Sequence, residues 1–160
     1  MSIFWTIIFL ISRVYFIFMT LLFHILNRFK RKQTVPSTND KLLRISATEA
    51  VRLIASRKLT SKELVEAYIY RIEQVNDLIN AVVVTLFDDA IDKAENIDQL
   101  IADYDDQKLI EMVKRRPLLG VPFTVKDALN VNGRIITCGI FSQRNVKCTS
   151  TAEVIEKLFF

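Results

Sequence analysis

The hydrophobic pattern divides the chain into three parts. From Ile3 to Leu26 almost every position is apolar, with no polar face at helical or strand period, which predicts one helix surrounded by apolar material. As a helix, Ile3–Leu26 would extend about 36 Å, enough to cross a hydrocarbon layer of ~30 Å. Thr34 to Lys41, with Pro36, Ser37, Thr38 and Asn39, then breaks the pattern and reads as a polar linker. From Leu42 onward the apolar positions become periodic. Ser46 with Glu49, and Thr60 with Glu63, have the spacing of helix-starting capping boxes, and Leu59 and Leu64 flank the second as a hydrophobic staple would. Val51, Ile54 and Ala55 form one apolar stripe and Leu64, Tyr68, Ile72 and Val75 another, predicting two helices packed as a hairpin.

Ala81 to Leu86 is a β-branched run and predicts a short strand; from Phe87 a helical period returns in Ala90, Ile91, Ala94, Ile97, Ile101 and Tyr104. Asp88, Asp89, Asp92, Glu95 and Asp98 fall off that stripe and read as a helix start and its solvated face. Asp103, Asp105 and Asp106 lack the glycine and bidentate glutamate of a calcium loop and read as a polar connection. Lys108 to Arg116 continues helically, with Lys114, Arg115 and Arg116 before Pro117 marking its end. A second strand is expected at Val121 to Val125, a turn at Ala128 to Gly133, a third short strand at Ile135 to Thr137, and a further helix from Ser150 to Leu158. The expected organisation is α/β: residues 1–32 a membrane anchor with a basic flank, 33–41 a linker, and 42–160 the folded part.

Charge sharpens the first boundary. The net +4 is uneven: residues 27–58 hold nine Lys/Arg against Asp40 and Glu49, whereas residues 59–160 hold twelve against sixteen acidic residues. The excess is therefore membrane-proximal, not spread over a folded basic face, and no nucleic-acid partner is expected. Arg13 interrupts the apolar run, and at a helix centre it opposes insertion by about 2.5–3.5 kcal/mol, which the surrounding Ile, Leu and Phe residues at about −0.3 to −0.6 each offset. Spanning is the preferred reading. A helix lying in the interface, with Arg13 reaching water, is the rival. Trp5 at one end and Arg28, Lys30, Arg31 and Lys32 at the other suit the two interfaces and place the rest of a single-pass chain in the cytoplasm. A cleaved signal peptide would be shorter and would carry its charges before the apolar region.

Composition then excludes several chemistries. Cys138 and Cys148 are too few for a disulfide framework and read as reduced thiols in an intracellular setting. His24, the single histidine, lies inside the apolar run, which rules out a Ser-His-Asp or Cys-His arrangement in the soluble part. Gly120, Gly133 and Gly139 are the only glycines and make no phosphate-cradling loop. No metal and no cofactor is expected, and the pattern sets no oligomeric state.

The remaining candidate is Lys126. In the run Pro117-Leu118-Leu119-Gly120-Val121-Pro122-Phe123-Thr124-Val125-Lys126-Asp127, Phe123 and Val125 alternate with Thr124 and Lys126, so a strand would send the lysine to the face opposite its apolar neighbours. Drawn into a sheet's interior, a lysine loses its charge more readily and becomes a base. Left at the end of a strand, it simply reaches solvent. That run, continued through Ala128 to Gly133 and followed by Ile136-Thr137-Cys138-Gly139, resembles the segment carrying the catalytic lysine of the amidase-signature family, serine hydrolases that cleave amides with a Ser-Ser-Lys triad. Leu42 to Asp103 is similar in order and spacing to the family's membrane-anchored members, and the likeness covers roughly residues 42 to 158.

The resemblance implies an α/β fold that begins with a helical hairpin and enters a mixed sheet flanked by helices. It implies that Lys126 is the general base and that Thr137, Cys138 and Gly139 lie close to it as secondary, substrate-binding candidates. It also implies lipophilic acyl amides as substrates, which partition into the lipid bilayer that the anchor would occupy. Neither the family's Gly-Gly-Ser-Ser-Gly segment nor its later glycine-rich nucleophile segment occurs in these residues. Ser142 and Ser150 lack that glycine-rich setting. The chain as it stands is therefore expected to be an inactive N-terminal portion; a non-catalytic membrane-tethered interaction module and a truncated gene product are the alternatives.

The apolar run generates a direct test. Residues 1–32 should hold the chain in membranes through alkaline carbonate treatment, and recovery of the intact chain in the soluble fraction would reject the spanning helix.

Overall fold

The computed structural model describes residues 3–28 and 33–159. The chain divides after Val35 into two units. The first contains α1 (Ile3–Arg28), a continuous helix with no buried residue. Its best 18-residue window has a mean hydropathy of 2.1, so it is long and apolar enough to cross a membrane. Ser12 and Thr20 turn their hydroxyls onto the carbonyls of Phe9 and Phe16, each at 2.8 Å, which satisfies them within the helix as an apolar surrounding requires. Of the expected basic flank, Arg28 closes α1; Lys30, Arg31 and Lys32 lie outside the described residues.

The second unit is helical: α2 (Ala47–Ala55), α3 (Ser61–Ile79), α4 (Phe87–Asp103), α5 (Asp106–Arg115) and α6 (Glu153–Phe159), with 3-10 turns at Leu42–Arg44 and Phe141–Gln143. The start signals open both helices, the second as a full capping box and the first in half. Thr60 and Glu63 form a reciprocal capping box, and the staple residues Leu59 and Leu64 are both buried. Ser46 caps α2 through the Glu49 N–H. Glu49 does not reach back to complete that box but pairs with Arg52, whose guanidinium lies 2.5 and 2.7 Å from its carboxylate.

The packing differs from the expected hairpin. α3 packs chiefly on α4, and α2 on α5; the two pairs share one core of Ala50, Ile54, Leu59, Leu64, Ile101, Leu109 and Leu119. The reason lies in the acidic face of α4, which is not merely solvated. Asp98 accepts from the N–H groups of Ser61 (2.7 Å) and Lys62 (3.0 Å), satisfying donors that a helix start leaves without partners. Glu95 adds an ion pair to the Lys62 ammonium at 2.7 Å. α4 thus caps α3 from outside. At the α4–α5 corner, Arg57, itself at φ +57°, donates to the carbonyls of Ile101 and Tyr104 and pairs with Asp106. Asp105 starts α5 by accepting from the Lys108 N–H.

No sheet occurs among the described residues; the one isolated bridge is Ile135 with Lys147, antiparallel. The runs expected as strands at 81–86, 121–125 and 135–137 form no strand among the described residues. A strand exists through the neighbouring strand that takes its backbone groups, and among the described residues neither of the first two runs has one: in the first, the Val82 N–H and carbonyl bond to the Asn76 side chain, and in the second the Val121 N–H turns back to the Leu118 carbonyl. Their apolar side chains show the same deficit: Val83 is 67% and Val84 55% exposed.

One contact ties the helical core to the segment that follows. The buried Ser61 hydroxyl donates to the Gly120 carbonyl at 2.8 Å, and Gly120 has φ +75°. A Cβ there would stand 3.1 Å from Ser61 Oγ and 3.2 Å from Ile54 Cδ1, in a conformation that costs a non-glycine residue roughly 1–2 kcal/mol. Gly120→Ala should therefore accelerate amide exchange at Ile54 and Leu64 about 5- to 30-fold. Unchanged exchange at both would show that the segment does not bear on this core.

Candidate functional site

The site candidates sit on two loops that leave this contact. Turns closed by Leu119 N–H to Arg116 O (3.0 Å) and Val121 N–H to Leu118 O (3.1 Å) bring the chain out of α5. It then runs extended from Val121, with Val121, Pro122 and Val125 half-buried and Thr124 and Lys126 exposed. Of the two positions open to Lys126, the structure shows the solvent-reaching one. No carboxylate among the described residues makes an ion pair with it. Its carbonyl accepts from the Ala128 and Leu129 N–H groups at 2.7 and 3.0 Å, forming a turn that overlaps only the start of the one expected at Ala128 to Gly133.

Asp127 is the residue that sequence reasoning passed over. Its carboxylate accepts from the Thr137 N–H at 2.8 Å and the Thr137 hydroxyl at 2.5 Å, so one side chain joins the loop of Lys126 to that of Thr137, Cys138 and Gly139. Thr137 Oγ1 accepts in turn from the Gly139 N–H at 3.0 Å, and its carbonyl takes the Ile140 N–H at 2.8 Å. Cys138 and Gly139, at φ +50° and +76°, therefore occupy the centre of a turn with the φ signs of type I′. Gly139 meets that demand without penalty; Cys138, exposed, does so as a non-glycine residue. The clue in the sequence was a carboxylate beside the lysine with a Thr-Cys-Gly turn ten residues on, but no periodic rule links the two.

The second loop is anchored as well. Gly133 N–H donates to Cys148 O and Cys148 N–H to Arg134 O, the Asn132 N–H donates to the Thr151 hydroxyl, and Arg134 pairs with Asp89 at the start of α4. Two anchored loops thus hold Lys126 and the Thr137-Cys138-Gly139 turn, with the Asp127 carboxylate, accepting from that turn, as the link. Its hydrogen bond from the Thr137 hydroxyl, with those from the backbone N–H groups of Thr137, Cys138 and Gly139, holds the Asp127 carboxyl below its ordinary value against the opposing effect of burial. Among the described residues no group of His, Cys, Asp and Glu is placed to hold a metal ion.

The chain belongs to the amidase family, whose profile matches residues 63–159. It is similar to fatty-acid amide hydrolase 2-A of Danio rerio, 38% identical over 70% of this chain and 21% of that protein. It is also similar to fatty-acid amide hydrolase 2 of Homo sapiens, 34% identical over 82% of this chain and 24% of that protein. An acylamidase of Rhodococcus erythropolis is 36% identical over 76% of this chain and 24% of its own length. The chain thus spans less than a quarter of the length of these relatives.

The clamp predicts an acid-dependent contribution. Because the folded Asp127 value is depressed, its stabilisation is present above the ordinary aspartate range, about 3.9, and is lost as pH falls through the folded value. Thr137→Val removes the leading donor, so the Asp127 carboxyl should titrate at higher pH by NMR. A midpoint that stays put would discount the hydroxyl's role.

Proposed function

We propose that this chain is the membrane-anchored N-terminal portion of a serine amidase acting on fatty-acid amides, with α1 as its anchor and Lys126 as its general base. The observation that carries the reading is the unbroken Gly120-to-Asp127 segment and its Asp127 clamp to Thr137. It falls inside the region matched to the amidase family and within a chain similar to fatty-acid amide hydrolases. In the mechanism that the family resemblance implies, Lys126 draws the proton of a nucleophilic serine through a bridging serine, the nucleophile attacks the amide carbonyl, and the proton passes to the departing amine. Both serines would come from the glycine-rich segments of the longer family members, whose strands would also cover the exposed apolar side chains of the 81–86 run. Burial of Lys126 would follow from the same assembly, and with it the desolvation that makes a lysine a base. The anchor is consistent with substrates that dissolve in bilayers; a single-pass arrangement with the second unit in the cytoplasm completes the reading.

A second reading is favoured by one observation, the exposure of Lys126 with no ion-pair partner among the described residues. On that reading the chain is a non-catalytic membrane-tethered module. The two are separated by extension. Alone, the 160 residues should neither hydrolyse fatty-acid amides nor react with fluorophosphonate serine probes. Joined after Leu158 to the C-terminal part of a related amidase, they should gain both activities, and Lys126→Ala should then lower turnover by roughly 10²–10⁴-fold or more without loss of folding. Lys126→Arg should do little better, since arginine retains its proton. Full activity with alanine at 126 in the folded chimera would remove Lys126 from the mechanism.

A further inference from the structure

α2 and α5 enclose an open groove whose apolar floor includes Val51, Leu109 and Val113 and whose rim carries Arg52, Arg57 and Lys114. The structure thereby brings cations from two distant stretches of sequence to one face. Arg52 and Arg57 are neutralised locally, by Glu49 and Asp106. Lys114, Arg115 and Arg116 differ: all three are exposed, and none makes an ion pair among the described residues. In the same stretch of chain two large apolar side chains stand in solvent, Ile110 at 57% and Leu118 at 39% exposure, and Ile110 lines the groove together with Lys114. Glu111 is the one acidic residue between Lys108 and Leu118.

Charge at a helix C-terminus is ordinarily explained by the helix dipole, which favours cations in the last turn. That accounts for Lys114 and Arg115 but not for Arg116, which follows the helix, nor for the exposed Ile110 and Leu118. Cations bordering protruding apolar side chains match a bilayer surface, where phosphate and carboxylate headgroups lie over hydrocarbon. With α1 in a bilayer, the covalent tether would hold the second unit near its surface. Arg71 donates to the Pro36 carbonyl at 2.6 Å, so the chain is already fastened to α3 at Pro36. The stretch from Arg28 to Pro36 can extend to at most about 29 Å.

We infer that the C-terminal end of α5, through Lys114, Arg115 and Arg116 with Ile110 and Leu118, docks on an anionic lipid surface as a second membrane contact beyond α1. The inference rests on the proposal that α1 is a membrane anchor. Docking gathers phosphate or carboxylate headgroups against three cations that lack intramolecular partners and withdraws the two apolar side chains from water. Being electrostatic in origin, it weakens as salt shortens the screening length.

The full chain is reconstituted into phosphatidylcholine vesicles with and without about 30% phosphatidylserine, and hydrogen exchange is followed at residues 110–118. Exchange should slow about tenfold in the anionic vesicles alone and recover in high salt. The combined variant Lys114→Glu, Arg115→Glu and Arg116→Glu should abolish the difference, while Ile110→Ser should weaken it. Carbonate extraction of the same vesicles reports on α1 separately: release into the supernatant would reject the anchor, whereas retention with equal exchange in both vesicle types would overturn the docking and leave the anchor standing. Slow exchange at 110–118 in both vesicle types, insensitive to salt, would assign this face to a protein surface and also overturn it.

Discussion

The hydrogen bond between the Ser61 hydroxyl and the Gly120 carbonyl is the buried point at which the helical half of this unit meets the segment that leads to the candidate site. Among the described residues Ser61 is the only buried one with a polar side chain, and a buried hydroxyl without its partner costs about 1–3 kcal/mol. Both ends of the bond are fixed independently. Ser61 sits at the start of α3 under the Asp98 carboxylate, and Gly120 occupies a backbone conformation open to it because it lacks a Cβ. The direction in which the chain departs towards Lys126 therefore follows from how α3 and α4 pack.

The order of contacts also explains which parts of the sequence were legible. Helix starts obey local rules, so Ser46, Thr60 and the Leu59–Leu64 staple identified α2 and α3 closely. The apolar stripes identified the core, since Val51, Ile54, Leu64, Val75, Ala94 and Ile101 are all buried. Partner choice was not legible, because stripes state which face is buried and not against what. Asp98 decides that question here by capping α3 across a gap of thirty-odd positions, and nothing in its immediate surroundings distinguishes it from Asp88 or Asp92. The β-branched runs show a different limit: they read as strands because of their composition, but a strand is a property of a pair.

The candidate site was legible in the same uneven way. Lys126 stood out through its setting in the Gly120–Asp127 run, and Thr137, Cys138 and Gly139 through their place in a likeness to amidases. Asp127, which physically joins the two groups, is one carboxylate among eighteen acidic residues until the fold brings Thr137 to it. Long-range hydrogen bonds of this kind leave no periodic trace. They are nonetheless what turns two surface loops into one arrangement, because a bidentate contact fixes orientation as well as distance.

Asp89 and Asp98 lie on the same helix, one bound to Arg134 near the site loops and the other to the start of α3. Between them α4 serves as a ruler about 13 Å long. Side chains at positions of α4 that make no attachment can change without moving these two carboxylates, but its length cannot. Adding or deleting one residue would swing one carboxylate about 100° around the axis relative to the other, so only one of the two attachments would survive. Evolution of this interval should therefore proceed by exchange of residues and never by change in their number.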